Sequence, residues 1–143
     1  MKIDSWAQFF RTFHRLTFTI EENLKKNNLP SLEIYDVLWT LENESNHQMR
    51  LHELASKLFV ARFNITRIIQ RMEKDGYIQK LKCPQDQRGF WAKLTPKGLK
   101  MRKKIWSIYG HEINHHYSSQ LLQKEHQEII FILKKLEINQ IDH

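Results

Sequence analysis

A short segment at the centre of this 143-residue chain combines three arginines with an asparagine, a threonine and a glutamine. They suit contacts with DNA, because Arg can donate to guanine or phosphate, Asn can pair with adenine, and Thr or Phe can touch a thymine methyl group. The candidate contact residues are Arg62, Phe63, Asn64, Thr66, Arg67, Gln70 and Arg71. Any exposed helix can carry such residues, so this pattern alone is only a weak indication of DNA binding.

The positive charge is concentrated around the same segment. Residues 49–104 contain 15 Lys and Arg against four Asp and Glu, a net charge of +11, whereas the remainder carries −4 of the total of +7. A localised basic region favours a polyanion partner, since Lys and Arg neutralise phosphates and release counterions. A basic surface kept for solubility explains the charge equally well.

Two short amphipathic helices are expected to position the candidate side chains. The sequence predicts one helix over His52–Phe59 and a second over Arg62–Lys74, with a turn at Val60 and Ala61. Apolar residues recur in both at a spacing of three and four, as in helices with one buried face. The predicted buried positions are Leu54, Ala55, Leu58, Ile65, Ile68, Ile69 and Met72.

A β-hairpin is predicted after the second helix, which Gly76 can end in the left-handed conformation. Tyr77–Lys82 and Phe90–Leu94 have strand character, and Cys83–Gly89 has turn chemistry. Met49–Leu51 is a candidate third strand beside the hairpin.

The hairpin is expected to carry an arginine near its tip. Arg88 could enter a narrow minor groove, where the potential is most negative, and Asp86 is predicted to pair with it and hold its direction. Beyond the hairpin, Thr95 and Pro96 have the pattern of an N-cap followed by the first residue of a helix.

The order and spacing of these motifs resemble the winged helix-turn-helix of the MarR family of bacterial transcriptional regulators. The matching runs are Leu54-Ala55, Ile65-Thr66-Arg67, Met72 to Ile78, Asp86-Gln87-Arg88 and Leu94-Thr95-Pro96-Lys97-Gly98. The resemblance implies a mainly α-helical fold with a small β-hairpin wing. It also implies a homodimer on a palindromic double-stranded DNA operator, with each recognition helix in a major groove and each wing in the neighbouring minor groove.

The flanking sequence predicts four further helices. The first starts at a Ser5–Gln8 capping box and ends near Asn27, the second runs from Ser31 to Glu42, and the last two start at Pro96 and near Lys124. We expect one MarR-like domain over residues 1–143. Its DNA-binding lobe would be residues 31–98 and its dimerisation helices residues 1–28 and 99–143, because apolar faces too broad for one chain normally mark an interface.

Aromatic residues could line an effector pocket between the dimerisation helices and the DNA-binding lobe. The candidate pocket residues are Phe10, Phe13, His14, Trp39 and Tyr109. In the family that the chain resembles, aromatic effectors often bind there and loosen DNA binding, which implies a dimeric repressor relieved by a small molecule. Core packing explains the same residues without a ligand, and we favour it for any one of them.

Two other clusters carry alternative chemistry. His111 and His115 lie one helical turn apart in the cluster His111–His116 and could ligate a transition metal, although a solvated or interface cluster is favoured. Cys83, the single cysteine, could be a redox switch, but a plain strand residue is favoured. We therefore expect no metal site and no cofactor, and a metal-responsive regulator is kept as an alternative.

Other functional classes are not favoured by the sequence. It has four glycines and lacks a Gly-rich phosphate loop, a nucleophile elbow and a zinc-protease helix, so we do not expect an enzyme. The longest apolar run, Ile129–Leu133, is far shorter than a membrane span, so a cytoplasmic location without a membrane partner is expected. The remaining alternative is an architectural nucleic-acid binder without sequence preference.

Overall fold

A computed structural model describes residues 3–59, 64–84 and 86–138, with side chains omitted at 86–88 and 138. Within these ranges the chain forms six α-helices and one small antiparallel sheet. The helices are α1 (Ile3–Lys26), α2 (Leu32–Glu42), α3 (Leu51–Lys57), α4 (Ile65–Lys74), α5 (Pro96–His116) and α6 (Gln123–Ile138), and the strands are β1 (Gln48–Arg50), β2 (Ile78–Cys83) and β3 (Asp86–Leu94). The mainly helical fold with a small β-wing is therefore confirmed.

The core of the lobe lies where α2 packs among α3, α4, α5 and the sheet. Leu41, Leu54 and Met72 are fully buried there, and the predicted apolar face of the second helix is buried at Ile68 and Ile69. Leu58 is also buried, while Ala55 and Ile65 are partly exposed. The spacing of three and four residues thus identified the buried faces of the helix-turn-helix correctly.

The recognition helix is described from its first regular turn onwards. The predicted start at Arg62 and the predicted turn at Val60 and Ala61 lie outside the described residues, and α4 begins at Ile65. Gly76 has a φ of +80° and ends the helix as predicted, because a residue without Cβ adopts this conformation without steric cost.

The hairpin turn is shorter than the sequence predicted. Strand β3 already begins at Asp86, so the expected seven-residue turn over Cys83–Gly89 is wrong. Cys83 pairs with Asp86 whereas Lys82 pairs with Phe90, which leaves residues 87–89 as a bulge within β3. A bulge adds residues to one strand without ending the pairing, and the turn residues of the sequence belong partly to it.

Strand β1 pairs with the other edge of β3, with Met49 opposite Ala92, and gives the sheet order β1-β3-β2. This confirms the third strand, displaced by one residue from the predicted one.

Two predicted helix caps differ in detail from the structure. Ser5 does not cap α1, because the helix already includes Ile3; Gln8 instead donates from its amide nitrogen to Thr12 Oγ1 over 3.1 Å. Ser31 occupies the N-cap of α2 but makes no side-chain cap bond. The orphan backbone N–H of Leu32 donates to Glu21 Oε1 over 2.9 Å, so a neighbouring helix satisfies it.

In the described ranges, no helix has the length and apolar character needed to cross a membrane.

Candidate nucleic-acid interface

Helix α4 separates an apolar face from a polar face. Ile68, Ile69 and Met72 point into the core, because they recur at the period of the helix and meet α2. The residues predicted to contact DNA that can be described are all exposed, namely Asn64, Thr66, Arg67, Gln70 and Arg71. The remaining two predicted contacts, Arg62 and Phe63, lie outside the described residues.

The exposed face of α4 carries cations that few carboxylates neutralise. Arg71 Nε lies 3.9 Å from Asp75 Oδ2, and both side chains are well exposed, so this pair adds little stability. Lys97 on α5 donates from Nζ to the Asp75 carbonyl oxygen over 2.6 Å and brings a further positive charge to the C-terminal end of α4. The face can therefore offer its guanidinium groups to an anionic partner.

The wing adds cationic side chains beside α4. Arg50 on β1 places its guanidinium 5.6 Å from the centre of the Trp91 ring, and Lys80 on β2 lies 5.7 Å from the Phe90 ring. Aromatic faces hold such cations without neutralising them. Arg88 and Asp86 lie in β3, but their side chains are outside the described part, so the predicted pairing between them stays a prediction.

The junction between the wing and α5 is held by a close approach of backbones. Thr95 Oγ1 accepts from the Gly98 N–H over 3.0 Å and donates to the Gly76 carbonyl oxygen over 2.6 Å, which confirms the predicted N-cap. A Cβ at Gly98 would overlap the carbonyl oxygen of Tyr77. The end of α4, the wing and the start of α5 are thereby fixed relative to one another.

Not every basic residue of α5 is available to a partner. Arg102 forms an ion pair with Glu42 of α2, and its Nη2 donates to Glu42 Oε1 over 2.9 Å. This hydrogen bonding raises the pKa of Arg102, so the guanidinium stays charged. Arg102 thus joins α2 to α5, whereas Lys100, Lys103 and Lys104 remain exposed.

The residues predicted to line an effector pocket fall into two separate groups. Phe10, Phe13 and His14 lie on the exposed N-terminal half of α1, where the His14 ring is 4.3 Å from that of Phe10. Trp39 and Tyr109 instead line a cleft of about 430 Å³ between α2 and α5. A single chain does not bring the two groups together.

The cleft between α2 and α5, which we call the aromatic cleft, contains residues that the sequence analysis missed. Its walls are Leu32, Tyr35, Asp36, Trp39, Phe59, Trp106, Tyr109 and Ile113. The Tyr109 ring stands edge-on to Tyr35 at 5.1 Å and to Trp106 at 5.7 Å. One feature of the sequence could have indicated this cleft. Asp36 is a charged residue among the apolar positions of α2, and a charge on a buried helix face needs a partner.

Asp36 is buried, with 7% of its surface exposed, and connects the aromatic cleft to the end of the first helix of the motif. Its Oδ2 accepts from the backbone N–H of Phe59 over 2.8 Å. Phe59 lines the cleft and lies six residues before α4 begins. The wall of the cleft is therefore tied to the segment that leads into the recognition helix.

The histidine cluster of α5 packs without forming a metal-binding group among the described residues. His111 and His115 stack with their centroids 6.2 Å apart, and both are exposed. His116 Nε2 lies 3.0 Å from Glu112 Oε2, which also accepts from Asn23 Nδ2 over 2.6 Å. No set of three His, Cys, Asp or Glu side chains suited to a metal is found in the described part of the chain.

Cys83 is buried at the end of β2, and Arg50 Nη2 approaches its Sγ at 3.6 Å. The favoured prediction of a strand residue agrees with this position.

Comparison with known proteins places the chain among DNA-binding regulators. The MarR family profile matches residues 31–90, which include α2, the helix-turn-helix and most of the wing. The HTH-type transcriptional regulator YkoM of Bacillus subtilis is 24% identical over 144 residues, covering 96% of this chain and 90% of YkoM. The chain belongs to the MarR family.

Two further matches agree with that assignment. The transcriptional repressor MprA of Escherichia coli is 31% identical over 103 residues, covering 72% of this chain and 58% of MprA. The structure of Sco3205, a MarR family regulator from Streptomyces coelicolor in complex with DNA, superposes with a TM-score of 0.85 at 20% identity, over 93% of this chain and 83% of Sco3205. The likeness extends beyond the matched lobe to the terminal helices.

Proposed function

We propose that this MarR family chain is a dimeric transcriptional regulator that binds double-stranded DNA by sequence. The observation that carries the proposal is the exposed polar face of α4, where Arg67 and Gln70 are exposed together with the N-cap residue Asn64. A helix of this kind can enter a major groove and contact base edges. Sco3205, which has the same fold, was solved in complex with DNA. Residues 31–98 would form the DNA-binding lobe.

Dimerisation through the two terminal helices is the second part of the proposal. Phe13 and Phe18 on α1 and Phe131 on α6 are exposed in the single chain, by 56%, 67% and 62%. Several large apolar side chains exposed along a helix normally mark an interface. A two-fold dimer through residues 1–28 and 99–143 would place two copies of α4 on a palindromic operator.

Repression relieved by a small molecule is the mode of action that we favour. The relative MprA is a transcriptional repressor. The aromatic cleft offers an effector site of suitable size, and the hydrogen bond from Phe59 to Asp36 connects it to the segment before α4. A ligand that shifted this bond would change the placement of the recognition helix.

An enzymatic function is not proposed, since the relatives are transcriptional regulators and the exposed side chains of α4 are of types that suit groove contacts. As a regulator of bacterial type, the protein would act in the cytoplasm. A metal-responsive variant of the proposal would need the His111–His116 cluster to bind metal in the dimer.

Selection of bound fragments from a random duplex pool, followed by fluorescence anisotropy on the selected duplex, tests the proposal. We expect a palindromic consensus and binding that survives a large excess of competitor DNA. An architectural binder would instead yield no consensus and the same steep salt dependence on every duplex. Arg88→Ala should weaken operator binding without lowering thermal stability, because the wing would contact the minor groove.

A further inference from the structure

A second cleft, which we call the wing cleft, has a volume of about 290 Å³ and lies between the helix-turn-helix and the wing. It is lined by Leu51 and His52 at the start of α3, by Ile65 at the start of α4 and by Phe90 of β3. Arg50, the residue before α3, also belongs to the lining. The wing cleft therefore lies beside the N-terminal end of the recognition helix, the end that contacts base edges in helix-turn-helix complexes.

The wing cleft is placed where a sugar-phosphate strand would pass. In the proposed complex, α4 lies in a major groove and the wing in the neighbouring minor groove. Those two grooves are separated by one strand of the duplex backbone, so that strand runs between α4 and the wing. The residues at the rim of the wing cleft would then face phosphate groups rather than base edges.

Arg50 brings a positive charge to this place in a fixed orientation. Its guanidinium lies 5.6 Å from the centre of the Trp91 ring, and its Nη2 lies 3.6 Å from Cys83 Sγ. Among the described residues no ion pair involves Arg50, whereas the guanidinium of Arg102 is paired with Glu42. An aromatic face orients a guanidinium without neutralising it, so the charge of Arg50 stays available to an anion.

A guanidinium held in this way suits a backbone phosphate. Its planar set of N–H donors can form two parallel hydrogen bonds to phosphate oxygens. The contacts to Trp91 and Cys83 restrict the side chain before DNA binds, so less conformational entropy is lost when the phosphate contact forms.

We propose that Arg50 binds the backbone phosphate between the groove that holds α4 and the groove that holds the wing. This inference rests on the proposed function, in which the chain binds duplex DNA, and it adds a contact residue outside the recognition helix and the wing tip. Each subunit of the dimer would make one such contact. The contact fixes the position of the lobe on the duplex and does not select the base sequence.

Arg50→Ala tests the contact through its salt dependence. Fluorescence anisotropy with the selected operator and with an unrelated duplex measures the affinity of the full chain over a range of salt concentrations. Each lost phosphate contact lowers the slope of log K against log salt by about 0.9, so a dimer that loses two contacts should lose about 1.8. Affinity for both duplexes should fall by the same factor, about tenfold or more at physiological salt. An unchanged slope, or a loss that depends on one particular base pair, would overturn the proposal.

Two further variants separate the charge of Arg50 from a structural role. Arg50→Lys keeps the charge without the planar donors, so the salt slope should be retained while affinity falls less than in Arg50→Ala. Lys57→Ala is the matched control, because Lys57 lies at the other end of α3 and its Nζ is already paired with Glu44 Oε1 at 2.6 Å. Equal losses of slope in Lys57→Ala and Arg50→Ala would reduce the effect to general charge and overturn the contact.

Changing the DNA instead of the protein identifies the phosphate. A neutral methylphosphonate, placed at one backbone position of the operator at a time, should weaken wild-type binding at the phosphate that faces Arg50. The same substitution should cost Arg50→Ala nothing, since a double-mutant cycle isolates the interaction between the two groups. If Arg50→Ala does not fold, Arg50→Gln removes the charge and keeps a hydrogen-bonding side chain, and it takes its place in both experiments.

The outcomes separate this inference from the proposed function. Equal methylphosphonate losses in the wild type and the variant at every position would overturn the Arg50 contact alone, because operator binding itself would persist. A wild-type chain that binds no duplex would refute the proposed function itself.

Discussion

The DNA-binding lobe and the terminal helices bury their apolar residues very differently. In the lobe, the large apolar side chains of α2, α3 and α4 meet in one core, where Leu38, Leu54 and Met72 are fully buried. On the N-terminal half of α1 and on α6, residues as large as Trp6 and Phe131 are each 62% exposed. Large apolar side chains thus occupy core positions in one region and surface positions in the other.

This difference shows which part of the fold one chain can complete alone. Only the C-terminal half of α1 enters the core, where Ile20 and Leu24 are buried. The exposed remainder makes two apolar surfaces, and covering them with a second copy would remove them from water. Stability of the lobe and association of the terminal helices should therefore respond to different substitutions.

Phe131→Glu on α6 should have the largest effect, because it places a charge in the proposed dimer interface. Burying a phenylalanine contributes about 1.5–3 kcal/mol, and a two-fold interface contains the residue twice, so dimer dissociation should increase at least about 100-fold. Sedimentation equilibrium measures the dissociation, and operator affinity should fall with it. A stable dimer of Phe131→Glu would show that α6 lies outside the interface.

Gly98→Ala is the corresponding test inside the lobe. The added methyl group would overlap the Tyr77 carbonyl oxygen and lie 2.7 Å from Leu94 Cδ1, and backbone cannot yield as a flexible side chain does. We expect a loss of about 3 kcal/mol in the free energy of unfolding, at the upper end for overpacking. Urea denaturation monitored by circular dichroism measures it. Lys100→Ala, at an exposed position of the same helix, should change little, and a fully stable Gly98→Ala would mean that the junction is looser than described.

The sequence predicted the regular elements of the lobe well, because each has a local signal. Apolar spacing identified the buried face of α4, Gly76 marked its end, and Thr95 with Pro96 marked the start of α5. These signals depend on single residues or on a helical period, so they can be recognised without knowledge of the tertiary structure.

The errors occurred where distant residues decide the outcome. The Leu32 N–H is satisfied by Glu21 from another helix rather than by Ser31, and the bulge at residues 87–89 depends on pairing with β2. Which residues line the aromatic cleft depends on how α2 and α5 cross. The sequence analysis therefore placed Trp39 and Phe10 in one pocket, although a single chain does not bring them together. No periodicity within either helix contains that information.

Arg67→Ala tests the polar surface of the lobe without disturbing either apolar region. A good base contact contributes about 1–3 kcal/mol, so operator affinity should fall about 5- to 150-fold and discrimination at one base position should relax. Anisotropy on operators with single substitutions measures both quantities. Glu73→Gln, also exposed on α4, is the control for a nonspecific change on this helix. A uniform loss across all duplexes would assign Arg67 to phosphate contact instead.

Thr95→Ala should have the smallest effect, at the point where the lobe passes into α5. The substitution removes the hydroxyl that accepts from Gly98 N and donates to the Gly76 carbonyl, and loss of an N-cap of this kind costs about 1 kcal/mol. Thermal unfolding measures the loss, and Thr95→Ser should recover most of it because the hydroxyl is retained. Dimer dissociation should not change, because the cap supports the self-contained lobe rather than the terminal helices. An equal weakening of the dimer would show that the two regions are coupled through α5.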